Sequence, residues 1–214
     1  MSTIKEIVEG RGITEVLHFT TNQGLLGILD SQKIRSRKRL EGDQRLAHIL
    51  KLNTQRVLDP PAWIDFVNLS ISKINHTLYG ISSGSFHGVE VNWRILSFST
   101  DILEHEGVYF ATANNGWPAC LRESGPEGLE SLFSDSVKGR YSDIHNRYQE
   151  MPSAWTTCEQ AEVLYPREFS TGYLNKIYVK SEKDLFSVDS KLGATKHSRI
   201  EVCVDPSKFG IKDE

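Results

Sequence analysis

The chain has 214 residues, 38% of them hydrophobic and 25% charged, which fits one soluble domain with a proper core and argues against a disordered chain. Its net charge of −3 argues against tight non-specific binding of duplex DNA, which depends on neutralising phosphates. No apolar run approaches a membrane span, the start of the chain lacks the apolar centre of a signal peptide, and Cys120, Cys158 and Cys203 are odd in number and widely spaced. No membrane partner, disulfide framework or metal site is therefore expected, and a reducing cytoplasm is the expected location.

In chain order, residues 15–20 read as a short strand. Thr21 or Asn22 then caps a helix whose apolar stripe is Leu25, Leu26, Ile28 and Leu29. Lys33, Arg35, Arg37, Lys38 and Arg39 follow as a basic strip. Such a strip suits the phosphates of a nucleotide or a nucleic acid strand; on composition alone a solvated helix start fits as well. Residues 40–52 are a second helical candidate, and a loop broken by Pro60 and Pro61 comes next. Residues 64–72, 93–99 and 108–112 read as strands, and residues 114–118 as a turn cluster. Residues 119–157 hold a short helix near 126–133 in an otherwise long, polar segment. Tyr141, Tyr148, Trp155, Lys138, Arg140 and Arg147 in that segment favour a functional loop over a disordered one. Gln160 to Tyr165 alternate polar and apolar, as a half-buried strand with Gln160, Glu162 and Leu164 on one face. Residues 175–180 and 199–204 are strand-like, with a helix starting near 181–186 between them. With no repeat, low-complexity tract or linker, one α+β domain over residues 1–214 is the economical reading.

Four positions stand out for chemistry. Glu162 is a carboxylate at a strand start behind a long segment, where a rigid strand holds a catalytic group under a substrate; the plain alternative is a solvated edge glutamate. His18 and Thr20, two apart on a strand, offer a ring nitrogen and a hydroxyl to one polar ligand, against the commoner case of a core or surface histidine. Arg56 can hold a pyrophosphate bidentately, or be an ordinary surface arginine. Neither a Gly-x-Gly-x-x-Gly nor a Gly-x-x-x-x-Gly-Lys-Ser/Thr run is present, so a Rossmann fold and a P-loop are not expected.

These residues together resemble the DarT family of DNA-base ADP-ribosyltransferase toxins. The resemblance rests on His18-Phe19-Thr20 opening a strand–helix unit, an arginine ahead of Asp65-Phe66-Val67, and Gln160-Ala161-Glu162-Val163-Leu164 after a long segment, in the family's order. It implies a compact ADP-ribosyltransferase fold with a central mixed or antiparallel β core and flanking helices. It also implies NAD+ as co-substrate without a metal, single-stranded DNA as acceptor, and a macrodomain antitoxin of the DarG type as partner. Glu162 and Arg56 match the catalytic positions, and His18, Phe19, Thr20, Gly27 and Arg56 the NAD+-contacting ones. Residues 39–57 match the NAD+-binding element, and residues 118–162 the acceptor-recognition loop, where Arg147, Tyr148 and Trp155 are the expected DNA contacts. Thymidine-modifying members carry Asp-Tyr-Val-Pro-Phe-Tyr-Phe where this chain has Asp65-Phe66-Val67-Asn68-Leu69-Ser70-Ile71, so guanine is favoured over thymine as the modified base. The expected activity is toxic ADP-ribosylation of a DNA base that blocks replication. The rival readings are transfer to RNA or protein, and a non-catalytic nucleotide-binding module.

Overall fold

The computed structural model of the protein describes residues 2–41, 60–84, 91–141 and 143–210. The helices are α1 (Ile4–Arg11), α2 (Asn22–Ser31), α3 (Arg37–Glu41), α4 (His76–Gly84), α5 (Gly125–Ser131) and α6 (Glu182–Ala194). The strands are β1 (Val16–Thr21), β2 (Lys33–Arg35), β3 (Phe66–Ile71), β4 (Trp93–Phe98), β5 (Tyr109–Ala111), β6 (Arg122–Ser124), β7 (Ser136–Lys138), β8 (Ile144–Asn146), β9 (Glu162–Pro166), β10 (Glu168–Ser170), β11 (Leu174–Val179) and β12 (Glu201–Val204). Eight strands form one sheet in the order β12-β11-β4-β1-β3-β9-β5-β6. Its described pairs are antiparallel except β11 with β12, which are parallel and joined through α6. The fold is thus α+β around a mixed sheet. No helix among the described residues is long and apolar enough to cross a membrane.

Alternation sets which residues of each strand face which layer. Val67, Leu69 and Ile71 of β3, Val163 of β9 and Leu96 and Phe98 of β4 pack on one face against Leu25 and Leu29 of α2 and Val188 and Leu192 of α6. On the other face Leu17, Trp93, Ile95 and Tyr178 pack against Tyr79 of α4 and Phe209. A third cluster joins Ala111, Cys120, Val137, Cys158 and Leu164, with Trp63, Phe66 and Trp117 against it. Burial pushes the Cys158 thiol up to about 11, which suits a packing role and not a reactive one.

One irregularity of the sheet positions the site. β1 pairs with β4 along all of Val16–Thr21, but with β3 only at Val16 and Leu17. The far end of β3, Phe66 to Leu69, pairs with β9 instead. Past Leu17 and Ser70 the sheet therefore parts, and the His18 ring spans the gap with Nδ1 3.1 Å from the Asn68 carbonyl oxygen. The closed end is held by the buried Glu15 carboxylate, which accepts from Ser97 Oγ at 2.7 Å and Tyr178 Oη at 2.9 Å and pairs with Lys208.

Three expectations change. β9 starts at Glu162, not Gln160, and is buried on both faces because it runs between β3 and β5. Residues 119–157 are not one long segment: they contain β6, α5 and the antiparallel pair β7–β8. That pair carries little apolar alternation, since Val137 alone among its six strand residues is buried; it is held by backbone pairing and by Gly139, where a Cβ would sit 2.4 Å from His145 Nε2. The basic strip forms β2 and most of α3, and its charges are largely paired: Lys33 and Arg35 with Glu168, Arg37 with Glu41, Arg39 with Asp65. Arg56, most of the helical candidate at 40–52 and most of residues 39–57 lie outside the described residues.

Candidate active site

A cavity of about 830 Å³ occupies the gap between β1 and β3. One wall is α2, which follows β1 with no intervening loop because Thr21 Oγ1 accepts the Gly24 N–H at 3.0 Å and caps the helix. Gly24, Gly27, Ile28 and Ser31 face the cavity at helical spacing, while Leu25 and Leu29 go to the core. Gly24 is required there: a Cβ would lie 2.1 Å from Thr20 Oγ1 and drive that hydroxyl out of place. His18, Phe19, Thr20 and Gly27 all line the cavity. The Phe19 ring is fixed by Tyr79 and Trp93, with centroids 5.7 and 5.8 Å away.

Glu162 lies across the gap from β1, at the first residue of β9 and only 4% exposed. Its Oε2 accepts from Asn68 Nδ2 at 2.8 Å and from the Asn115 N–H at 3.2 Å. Asn115 is in turn held by Arg122, whose Nε reaches Asn115 Oδ1 at 2.6 Å and whose other nitrogens bond the Asn115, Trp117 and Cys120 carbonyls. An arginine thus clamps the 114–120 turn, and the turn aims a backbone donor at the carboxylate. Asn68, Asn115 and Arg122 were not singled out from the sequence; Asn68 was legible only as a departure from the family's Asp-Tyr-Val-Pro run. The carboxylate faces the cavity, where developing positive charge on a ligand is stabilised at short range and low dielectric.

The residues expected at the DNA are distributed differently. Arg147, Tyr148 and Trp155 do not line the cavity. The Arg147 guanidinium donates to the carbonyls of Trp155 at 2.7 Å, Pro152 at 2.8 Å and Ser153 at 3.3 Å, so it holds its own loop together. Trp155 lies under Lys73 Nζ at 4.9 Å. The cavity rim carries instead the β7–β8 turn with Arg140, Tyr141 and Asp143, and, on the other side, Arg35, Ser36 and Arg37. Tyr141 is 84% exposed, and the Arg140 guanidinium stacks 4.8 Å from its ring centre.

A split α+β sheet thus holds a buried carboxylate at the wall of a ligand-sized cavity, an arrangement suited to an enzyme that stabilises positive charge developing on its substrate. The family model described as "ssDNA thymidine ADP-ribosyltransferase, DarT" matches residues 17–210, and the chain belongs to the DarT family of ADP-ribosyltransferases. Solved structures agree in fold. Thermus sp. 2.9 DarT in complex with NAD+ superposes with a TM-score of 0.65 at 19% identity, covering 92% of this chain and 97% of that one. The same Thermus protein in complex with ADP-ribosylated ssDNA gives 0.63 at 19% identity with the same coverage. Thermosipho africanus DarTG in complex with ADP-ribose gives 0.56 at 15% identity, covering 92% of this chain and 51% of that longer one. Among curated proteins none matches the chain in sequence.

Proposed function

We propose that the protein transfers ADP-ribose from NAD+ to a base of single-stranded DNA and releases nicotinamide, with the split-sheet cavity as its active site. The observation that carries this reading is Glu162, buried at the start of β9 and held by Asn68 and Asn115 at the cavity wall. The Thermus relative bound to NAD+ and to ADP-ribosylated ssDNA supports donor and acceptor. The bond from the ribose carbon to the nicotinamide nitrogen breaks, and its electron pair neutralises the ring. A base nitrogen bonds the same carbon and gives up a proton. Glu162 accepts from the ribose 2-hydroxyl, strengthens that hold as oxocarbenium charge grows, and assists the departing proton. His18, Phe19, Thr20 and Gly27 hold the donor. Arg56 orients its phosphates and polarises the acceptor, since a guanidinium stays protonated. Arg35 and Arg37 at the rim are paired in part-exposed salt bridges of little individual worth, which a phosphate can replace.

His18→Ala is expected to raise the NAD+ requirement while leaving the melting temperature close to that of the parent. Unchanged NAD+ binding by calorimetry with a large fall in melting temperature would show a purely structural histidine.

An unpaired strand is the acceptor, because unstacking a base from a duplex costs a few kcal/mol and a net charge of −3 offers little general attraction in return. The β7–β8 turn supplies the local contact: Tyr141 offers a ring for a base and Arg140 a charge for phosphate. Arg147, Tyr148 and Trp155 then act at one remove, by shaping the loop beside it. Labelled NAD+ offered with matched single-stranded DNA, duplex DNA, RNA and protein tests this. Label is expected on the single strand, with Tyr141→Ala reducing acceptor use roughly tenfold. Equal labelling of duplex and single strand overturns the exposed-base argument, and label confined to RNA or protein changes the acceptor class.

Guanine is the proposed base, on the departure of Phe66–Ile71 from the thymidine run. The family description names thymidine. Oligonucleotides differing in one central base, read by mass spectrometry, decide it; modification at thymine alone rejects guanine. The DarTG relative supports a toxin–antitoxin pairing with a DarG-type macrodomain partner, and a block to replication is the proposed consequence of the modified base.

A further inference from the structure

Asn75 precedes α4 and is 2% exposed. Its Oδ1 accepts the Leu78 N–H at 2.8 Å and its backbone carbonyl the Tyr79 N–H at 2.9 Å, so one end of the amide is committed to starting the helix. That bond fixes which way the amide is turned. The other end, Nδ2, finds no hydrogen-bond partner among the described residues. A buried donor left unpaired is costly, and folded proteins rarely keep one without a reason. Asn75 lines the cavity, beside Leu17, Phe19, Leu78 and Trp93.

The position is specific in two respects. First, the start of α4 is fastened to the segment leading into β9: Glu159 accepts the Thr77 N–H at 3.2 Å and pairs with Lys73 at 3.0 Å. The Asn75 amide is therefore held in register with Glu162, three residues beyond Glu159. Second, the apolar residues that line the cavity belong to two different clusters. Phe19 and Trp93 form one with Leu17 and Tyr79; Phe66 and Trp117 form the other, on the side of the β7–β8 turn. Displacement at a sugar carbon puts the leaving group and the nucleophile on opposite sides of that carbon. With the acceptor base on the Tyr141 side, as proposed above, the α4 side is left to the leaving group.

We propose that Asn75 Nδ2 donates to the carbonyl oxygen of the planar ring that departs, the carboxamide of nicotinamide, and that Phe19 and Trp93 bound the ring itself. Asn75 is then a specificity residue for the leaving-group half of the donor. This deepens the transfer reading and rests on it. A nucleobase carbonyl carries the same chemistry, and the experiment separates the two sources.

Asn75→Ser and Asn75→Asp each keep a side-chain oxygen for the Leu78 N–H and remove the amide donor. The purified protein and both variants are titrated with NAD+ and with ADP-ribose by calorimetry. Transfer is then measured with nicotinamide as inhibitor and with varied oligonucleotide. NAD+ affinity is expected to fall roughly tenfold in both variants, with a similar loss of nicotinamide inhibition. ADP-ribose, which lacks the ring, is expected to bind as before, and the KM for oligonucleotide at saturating NAD+ to stay put. Equal losses for NAD+ and ADP-ribose mean that Asn75 only shapes the wall, and overturn the assignment. A rise confined to the oligonucleotide KM gives the donor to the acceptor base and overturns it too. Unchanged NAD+ binding in the variants overturns it alone, whereas a parent protein that binds neither NAD+ nor ADP-ribose overturns the transfer reading along with it.

Discussion

Glu162→Gln is expected to lower the transfer rate by a factor on the order of 10²–10³ while NAD+ binding and the melting temperature stay near the parent's. The reason is that the charge, and not the shape, is the catalytic property. A glutamine keeps an oxygen for Asn68 Nδ2 and the Asn115 N–H, which now hold Glu162 Oε2 at 2.8 and 3.2 Å. It loses the full negative charge that strengthens its hold on the ribose as positive charge develops at the sugar carbon. Ground-state binding depends less on that charge than the transition state does, so the loss falls on kcat more than on KM. Asn68→Ala is expected to give a smaller loss of the same kind, because the carboxylate keeps its charge and loses one orienting donor. Single-turnover labelling at saturating NAD+ measures both; turnover by the glutamine variant within a fewfold of the parent's would remove Glu162 from the chemistry.

How far this site was legible depends on whether a residue's role is written in its neighbours along the chain or in those across the sheet. β1 and α2 were legible, since the alternation of residues 15–20 and the capping threonine Thr21 are local signals, and the helix begins where they place it. β9 was legible as a strand because Gln160 to Tyr165 alternate, but its burial on both faces was not, because that comes from lying between β3 and β5. Glu162 was therefore found for its place in a strand start, while Asn68, Asn115 and Arg122, which orient it, come from other elements and left no local mark. Arg147 shows the same limit from another side. A basic residue among aromatics suits a nucleic acid contact, yet here three backbone carbonyls of its own loop need a donor, and a guanidinium satisfies them. The β7–β8 pair was missed because its strands are short and almost wholly polar, so the pattern that marks a strand is absent while the backbone pairing is not.

The second large effect is on stability and lies behind the active site. Asp184→Ala is expected to destabilise the fold by about 3–5 kcal/mol, because it leaves a buried guanidinium without its counter-charge. The Arg94 side chain is 1% exposed in β4, with Nη2 2.9 Å from Asp184 Oδ1 and Nη1 2.8 Å from the Trp93 carbonyl oxygen. Burial lowers the affinity of Arg94 for its proton and Asp184 offsets that loss, so removing the carboxylate leaves the desolvation unopposed. The pair also joins layers, since Asp184 opens α6 and Arg94 lies opposite Thr20 in the β1–β4 register. For a domain of this size the loss corresponds to roughly 6–20 °C in melting temperature. Replacing both partners, Arg94→Met with Asp184→Leu, is expected to recover most of it, because no charge is then stranded and the volume stays filled. Thermal and urea unfolding of the parent, Arg94→Met, Asp184→Leu and the double variant close the cycle, with Asp184→Ala measured beside them. If Asp184→Ala unfolds within about 0.5 kcal/mol of the parent, the size of a surface substitution, the buried pair carries no such weight. If the double variant is as unstable as the single, the deficit lies in packing and not in the unpaired charge.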